Sequence, residues 1–151
     1  EDGVRLLKLL KAQGVDLNTP NREGDTALIT ACRQGDLASV KLLVHVCNLN
    51  ARNNAGQTAL HACSACKGGR GAHIASLLLS KGAKLELTDA TNSTAVSLAA
   101  TQGDAPLCDI LLHHGSRLPC TPPGRAVPGG EVERVLARHR GPVSALVRGV
   151  K

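Results

Sequence analysis

The 151-residue chain contains no Phe, Tyr, Trp or Met. Without an aromatic platform no base can be stacked, which excludes the single-stranded nucleic-acid modules that work by stacking. Aromatic-lined grooves for polyproline ligands are excluded for the same reason. Any core must be assembled from Leu, Val, Ile, Ala and Cys. Long apolar runs are also missing. The longest are only a few residues, such as 77–79, so no segment reads as a membrane span. The chain starts Glu1-Asp2, without Met and without a signal-peptide pattern, as expected of a fragment of a longer chain. Six cysteines follow no disulfide framework, and several sit inside apolar helical runs. They read as small core thiols of a protein in a reducing compartment, the cytoplasm or the nucleus.

The net charge of +6 is unevenly placed. Residues 1–116 carry eleven basic and ten acidic groups, whereas 117–151 carry seven basic and two acidic groups. The basic character belongs to the C-terminal segment.

What the chain does have is internal repetition. Asn21-Arg22-Glu23-Gly24-Asp25-Thr26-Ala27-Leu28 returns as Asn53-Asn54-Ala55-Gly56-Gln57-Thr58-Ala59-Leu60 and again as Asp89-Ala90-Thr91-Asn92-Ser93-Thr94-Ala95-Val96. Each copy runs into an Ala/Cys-rich stretch and then a second apolar run, at 40–44, 74–79 and 107–112. Asn or Asp three residues before Gly suits a β-turn. Thr26, Thr58 and Thr94 then stand where a hydroxyl can cap a helix. Val40, Leu43 and Val44 share a helical stripe, and Gly82 and Gly115 provide helix stops. A single unit of this kind cannot bury both of its faces, so the units must stack.

The segments "NREGDTALITAC", "NNAGQTALHACS" and "DATNSTAVSLAA", with the closing stretches "LLKAQGVDLN" and "LLSKGAKLE", resemble the ankyrin repeat. The departures are Ala for the motif Pro in all three units, a one-residue deletion near 46–48, and Asn92 in place of a motif Gly. The resemblance implies an all-α solenoid of stacked helix-turn-helix units with β-turn or hairpin loops. It covers 3–116, as a partial repeat 3–20 followed by units 21–52, 53–88 and 89–116. A Pro/Gly-rich linker is expected at 117–130, and 131–151 reads either as a degenerate helical cap or as a basic tail.

One stretch invites a different reading. "GQTALHACSACKGGRGAH" places His61, Cys63, Cys66 and His73 within 13 residues. His61 and Cys63 are two apart, so on a helix they point about 200° apart. Cys-x-x-Cys with one His is an incomplete zinc set, and no thioredoxin-like βαβ pattern surrounds it. In the repeat frame His61 is a locally bonded histidine and Cys63 a small core residue, so neither metal nor cofactor is expected. The segment Lys67-Gly68-Gly69-Arg70-Gly71 makes this unit about three residues longer than its neighbours, as a loop that breaks the first helix. It has no Gly-Lys-Ser/Thr ending and is not a phosphate loop. No acid/base dyad or nucleophile elbow is present, so no enzyme site is expected.

The resemblance implies a monomeric protein-binding scaffold that contacts its partner through turn tips and the concave face of the first helices. The implied positions are Arg22, Glu23, Asp25, Arg33 and Gln34, then Arg52, Asn54, Gln57, Lys67 and Arg70, then Thr91, Ser93 and Gln102. The clustering of Arg22, Arg33, Arg52, Lys67 and Arg70 among them points to an acidic segment of a partner protein. The alternatives are nucleic acid or another phosphate-rich partner held by Arg125, Arg134, Arg138, Arg140, Arg148 and Lys151, and a metal or thiol enzyme centred on Cys63, Cys66 and His73.

Overall fold

The computed structural model describes residues 2–66, 69–116 and 130–140. Its helices are α1 (Asp2–Ala12), α2 (Ala27–Gln34), α3 (Leu37–Leu43), α4 (Ala59–Ala62), α5 (Gly71–Ser80), α6 (Ala95–Gln102), α7 (Ala105–His113) and α8 (Glu131–Arg140). A 3₁₀ turn, Cys63–Ala65, prolongs α4. Among the described residues the only β pairing is an isolated bridge between Thr88 and Thr94, so the fold is all-α.

Local chemistry sets the helix ends. Thr26 and Thr94 accept from the backbone N–H groups of Ile29 and Ser97, each at 3.4 Å. The repeated Gln-Gly-Asp connects two helices with almost no loop. Gly35 and Gly103 close α2 and α6 in the left-handed region, at φ 76° and 78°. Asp36 and Asp104 then cap α3 and α7 through the N–H groups of Ser39 (3.2 Å) and Leu107 (3.1 Å). The middle unit lacks this connector and solves the corner differently. Its first helix gives way to the 3₁₀ turn before the glycines are reached. Gly71 then starts α5 so close to that turn that a Cβ would stand 2.3 Å from the Cys63 carbonyl oxygen.

Helices stack in two layers. In the first layer α2 packs on α4, and α4 with its 3₁₀ turn packs on α6. In the second, α1, α3, α5, α7 and α8 follow one another. Leu28, Ile29, Val40, Leu60, Ile74, Leu78, Val96, Leu107 and Leu111 are fully buried between the layers, and Ala31, Cys32, Ala62, Cys63, Ala99 and Ala100 allow close approach. Leu43 departs from the stripe expected of it. It is half-buried, because it lines an open groove at the N-terminal end, whereas Val40 and Val44 carry the burial of α3. At the other end α8 lays Val132, Val135 and Leu136 against α7. His139 Nε2 lies 2.9 Å from Asp109 Oδ1, and this hydrogen bond holds the Asp109 carboxyl below the usual carboxylate range. Residues 117–129 and 141–151, with the expected linker and the last apolar stripe, lie outside the described residues.

Candidate protein-binding face

Three turns of one construction project from the stack. In each, an Asn or Asp side chain accepts two backbone N–H groups. Asn21 Oδ1 takes Glu23 and Asp25, Asn53 Oδ1 takes Ala55 and Gln57, and Asp89 Oδ1 takes Thr91 and Ser93, all at 2.9–3.0 Å. The turn residue at positive φ is Gly24 (78°), Gly56 (73°) and Asn92 (60°). Asn92, the motif departure, is the single non-glycine residue at positive φ among the described residues. Asn tolerates that conformation better than most side chains because its amide bonds locally.

The turns are tied to one another. Asn54 N–H donates to the Glu23 carbonyl (3.1 Å) and Ala90 N–H to the Ala55 carbonyl (2.9 Å). Asn54 Nδ2 also donates to the Arg22 carbonyl at 3.1 Å. The approach is close enough that a Cβ on Gly24 would sit 2.6 Å from the Asn54 nitrogen. The turns therefore form one ridge fixed by backbone bonds rather than three independent tips.

The expected contact residues divide along this ridge. Arg22 and Glu23 are exposed on the first turn, and Asn54 and Thr91 on the second and third. Gln34, Gln102 and Arg70 are exposed too, while Gln57 and Ser93 are half-buried. Arg52 is exposed but donates to the Thr88 carbonyl, joining two units. Lys67 lies outside the described residues.

Two expectations are corrected. Asp25 is not a contact position: only 3% of it is exposed. Its carboxylate accepts Asn53 Nδ2 at 2.7 Å and pairs with Arg33 through two nitrogens, at 2.5 and 3.3 Å. Arg33, which also reaches Glu23 at 3.4 Å, is therefore the counter-ion of a buried acid rather than an open cation. Nor do the basic residues form one cluster. Arg70 lies against the Gly35 carbonyl (3.5 Å), whereas Arg22 precedes the start of α2. The eight residues of α2 separate the two ends by about 12 Å. Asn53, which links Asp25 to the second turn, was not expected as a site residue. Its signal was the recurring Asx three residues before the turn glycine.

His61 and the cysteines have structural partners. The Thr58 N–H (3.2 Å) and hydroxyl (2.9 Å) face His61 Nδ1, and Nε2 faces the Ser93 carbonyl at 3.1 Å. A nitrogen that accepts from an N–H is unprotonated, and one facing a carbonyl carries the proton, so the ring is neutral. Burial pulls its pKa below the ordinary 6.5. Below about pH 6.5 the unfolded chain takes up this proton before the folded one does, so stability falls as pH drops toward the folded pKa. Urea midpoints at pH 7.5 and 5.5 are expected to show this loss, and His61→Gln should flatten the difference. An unchanged pH slope in that variant would contradict the assignment.

Cys63 is fully buried, and its thiol is pushed well up by a hydrogen bond with Cys32 and then by burial. Burial raises Cys47 and Cys66 as well, and Cys108 to about 12. These shifts oppose the thiolate that nucleophilic attack and metal ligation require. Among the described residues no three His, Cys, Asp or Glu side chains converge on a metal position. No helix among them is long and apolar enough to cross a membrane.

Paired helices stacked in two layers, with backbone-linked β-turns along one edge, define a helical repeat solenoid. A family profile described as ankyrin repeats (3 copies) matches residues 1–89, and the chain belongs to the ankyrin-repeat family. It is 32% identical over 153 residues to human ankyrin repeat domain-containing protein 63, covering 92% of this chain and 38% of that protein. It is 34% identical over 119 residues to the putative ankyrin repeat protein YahD of Escherichia coli (strain K12), covering 76% of this chain and 59% of that one. A third relative, human ankyrin repeat and KH domain-containing protein 1, is 36% identical over 97 residues, only 4% of its length. The chain thus spans less than two thirds of the length of these relatives. Ankyrin repeats are in general protein–protein interaction modules.

Proposed function

We propose that this chain is a non-catalytic, monomeric binding scaffold that takes an acidic segment of a partner protein along its turn ridge and the exposed edges of its first helices. The carrying observation is the backbone linkage of the turns through Asn54 to Glu23 and Ala90 to Ala55. A ridge already fixed loses little conformational freedom on binding. Arg22 and Arg52 place exposed positive charge on it and Arg70 adds one at the far end of α2, while Arg33 is neutralised by Asp25 and Glu23. The acidic partner is thus favoured by fewer cations than the sequence suggests. Neutral Gln34, Asn54, Thr91 and Gln102 supply polar contacts between them.

The test uses a partner captured from lysate and identified by mass spectrometry, then remade pure. Arg22→Glu/Arg70→Glu should weaken its binding by more than about tenfold while the melting midpoint stays unchanged. Arg134→Ala/Arg138→Ala, on the exposed side of α8, should leave binding intact. The reverse pattern would move the functional surface to the basic C-terminal segment.

A further inference from the structure

Three cysteines meet at one corner of the middle unit. Cys32 of α2 and Cys63 of the 3₁₀ turn belong to neighbouring units, and both are completely buried. α2 packs on that turn. Cys63 Sγ donates to the Ala59 carbonyl at 3.4 Å, and the Cys32 thiol is hydrogen-bonded to Cys63. Cys66 follows the turn, and its N–H donates to the Cys63 carbonyl at 3.2 Å. Residues three apart on a 3₁₀ turn share a face, and the three thiols lie within electrostatic reach of one another. Cys63 therefore adjoins both of the others. Cys66 differs from them in being only half-buried.

Among the described residues no other unit boundary carries such a set. The positions of Cys63 in the other full units hold Ala31 and Ala99, and those of Cys32 hold Ser64 and Ala100. Packing asks only for a small side chain there. It does not account for two thiols bonded across a unit boundary with a third leading out to solvent.

The geometry points to an oxidant-responsive staple: hydrogen peroxide reacts at Cys66, and the oxidation ends as a disulfide between Cys32 and Cys63 that joins the first two full units. The Cys66 sulfur attacks one peroxide oxygen and the O–O bond breaks. The released hydroxide takes the thiol proton and leaves as water, giving Cys66 sulfenic acid. The Cys63 sulfur then attacks the Cys66 sulfur. The S–O bond breaks, and hydroxide leaves with the Cys63 proton as a second water. The Cys32 sulfur next attacks the Cys63 sulfur and displaces Cys66, which takes up the Cys32 proton. In sum two thiols lose two electrons, one peroxide becomes two waters, and Cys66 is returned. A Cys63–Cys66 bond would stay open to exchange through half-buried Cys66, whereas a Cys32–Cys63 bond lies in the closed core, out of reach of a dissolved thiol. Burial and the Asp104 carboxylate raise the Cys66 thiol while Arg70 lowers it, so the first step is slow at neutral pH and faster in alkali.

The experiment treats the chain with hydrogen peroxide at mildly alkaline pH and digests it without reduction. Mass spectrometry should find Cys32 linked to Cys63. The oxidised chain should melt more than about 4 °C higher, because the cross-link restrains the unfolded chain, and dithiothreitol added to the unfolded protein should abolish the gain. Cys66→Ser should slow the cross-link by more than about tenfold. Cys32→Ala carries the residue that the third full unit has at this position, so it keeps the packing. Its oxidation should stop at Cys63–Cys66, without the rise in midpoint. A Cys63–Cys66 bond as the end product in the unaltered chain would overturn the proposal. So would a Cys32–Cys63 bond that forms equally fast in Cys66→Ser, or one that leaves the midpoint unmoved. Sulfonic acid at Cys66 with Cys32 and Cys63 still reduced would overturn it as well.

Discussion

Leu78→Ala is expected to destabilise the fold by about 2–5 kcal/mol, the range for truncating a buried leucine. Leu78 is fully buried on α5, the helix that packs on α7 and on the middle unit's first helix and 3₁₀ turn. The chain is poorly placed to close the cavity, because no Phe, Tyr, Trp or Met exists to rotate into it. Each unit is also held only by its neighbours, so damage to the middle unit uncouples both ends of the stack. Leu43→Ala is the internal comparison. Leu43 is half-buried at the open groove, so its truncation should cost less. Urea denaturation of both variants checks the ordering, and equal losses would contradict the assignment of Leu78 to the closed core.

Arg33→Ala is expected to destabilise by about 1–3 kcal/mol, the penalty for leaving a buried polar group short of a partner. The effect comes less from the arginine than from the acid it leaves behind. Asp25 is enclosed, and without Arg33 only Asn53 Nδ2 still donates to its carboxylate by side chain. Removing one partner of such a pair costs more than the pair contributes. Asp25→Asn/Arg33→Ala, which removes the uncompensated charge, should recover part of the loss. Thermal melts of the single and double variants decide it. An Arg33→Ala chain that melts like the wild type would return Arg33 to the role of an open surface cation.

These two residues mark where the sequence was legible and where it was not. The repeat of Asx-x-x-Gly-x-Thr, the Ala/Cys runs and the Leu pairs before glycine are local patterns. They specified turns, caps and stacked helices because each depends on bonds within a few residues. Even the departure at Asn92 was readable, since a left-handed turn position admits Asn where Gly is missing. The site was less legible. Asp25 and Arg33 are eight residues apart and look like two exposed charges. Only the fold shows that Arg33 turns back over its own helix and that Asn53 of the next unit reaches the same carboxylate. Arg70 looked contiguous with Lys67 and the other cations, but its place is set by the corner at Gly71. Long-range pairing of polar groups leaves no periodic trace in the sequence.

The most direct test of the binding account is a titration of the isotope-labelled chain with an acidic Glu/Ala peptide, followed by backbone amide shifts. The account predicts shifts at Arg22, Glu23, Asn54, Thr91 and Gln102, lost in Arg22→Glu/Arg70→Glu. Shifts confined to Arg134 and Arg138 on α8, with the turn ridge unmoved, would contradict it.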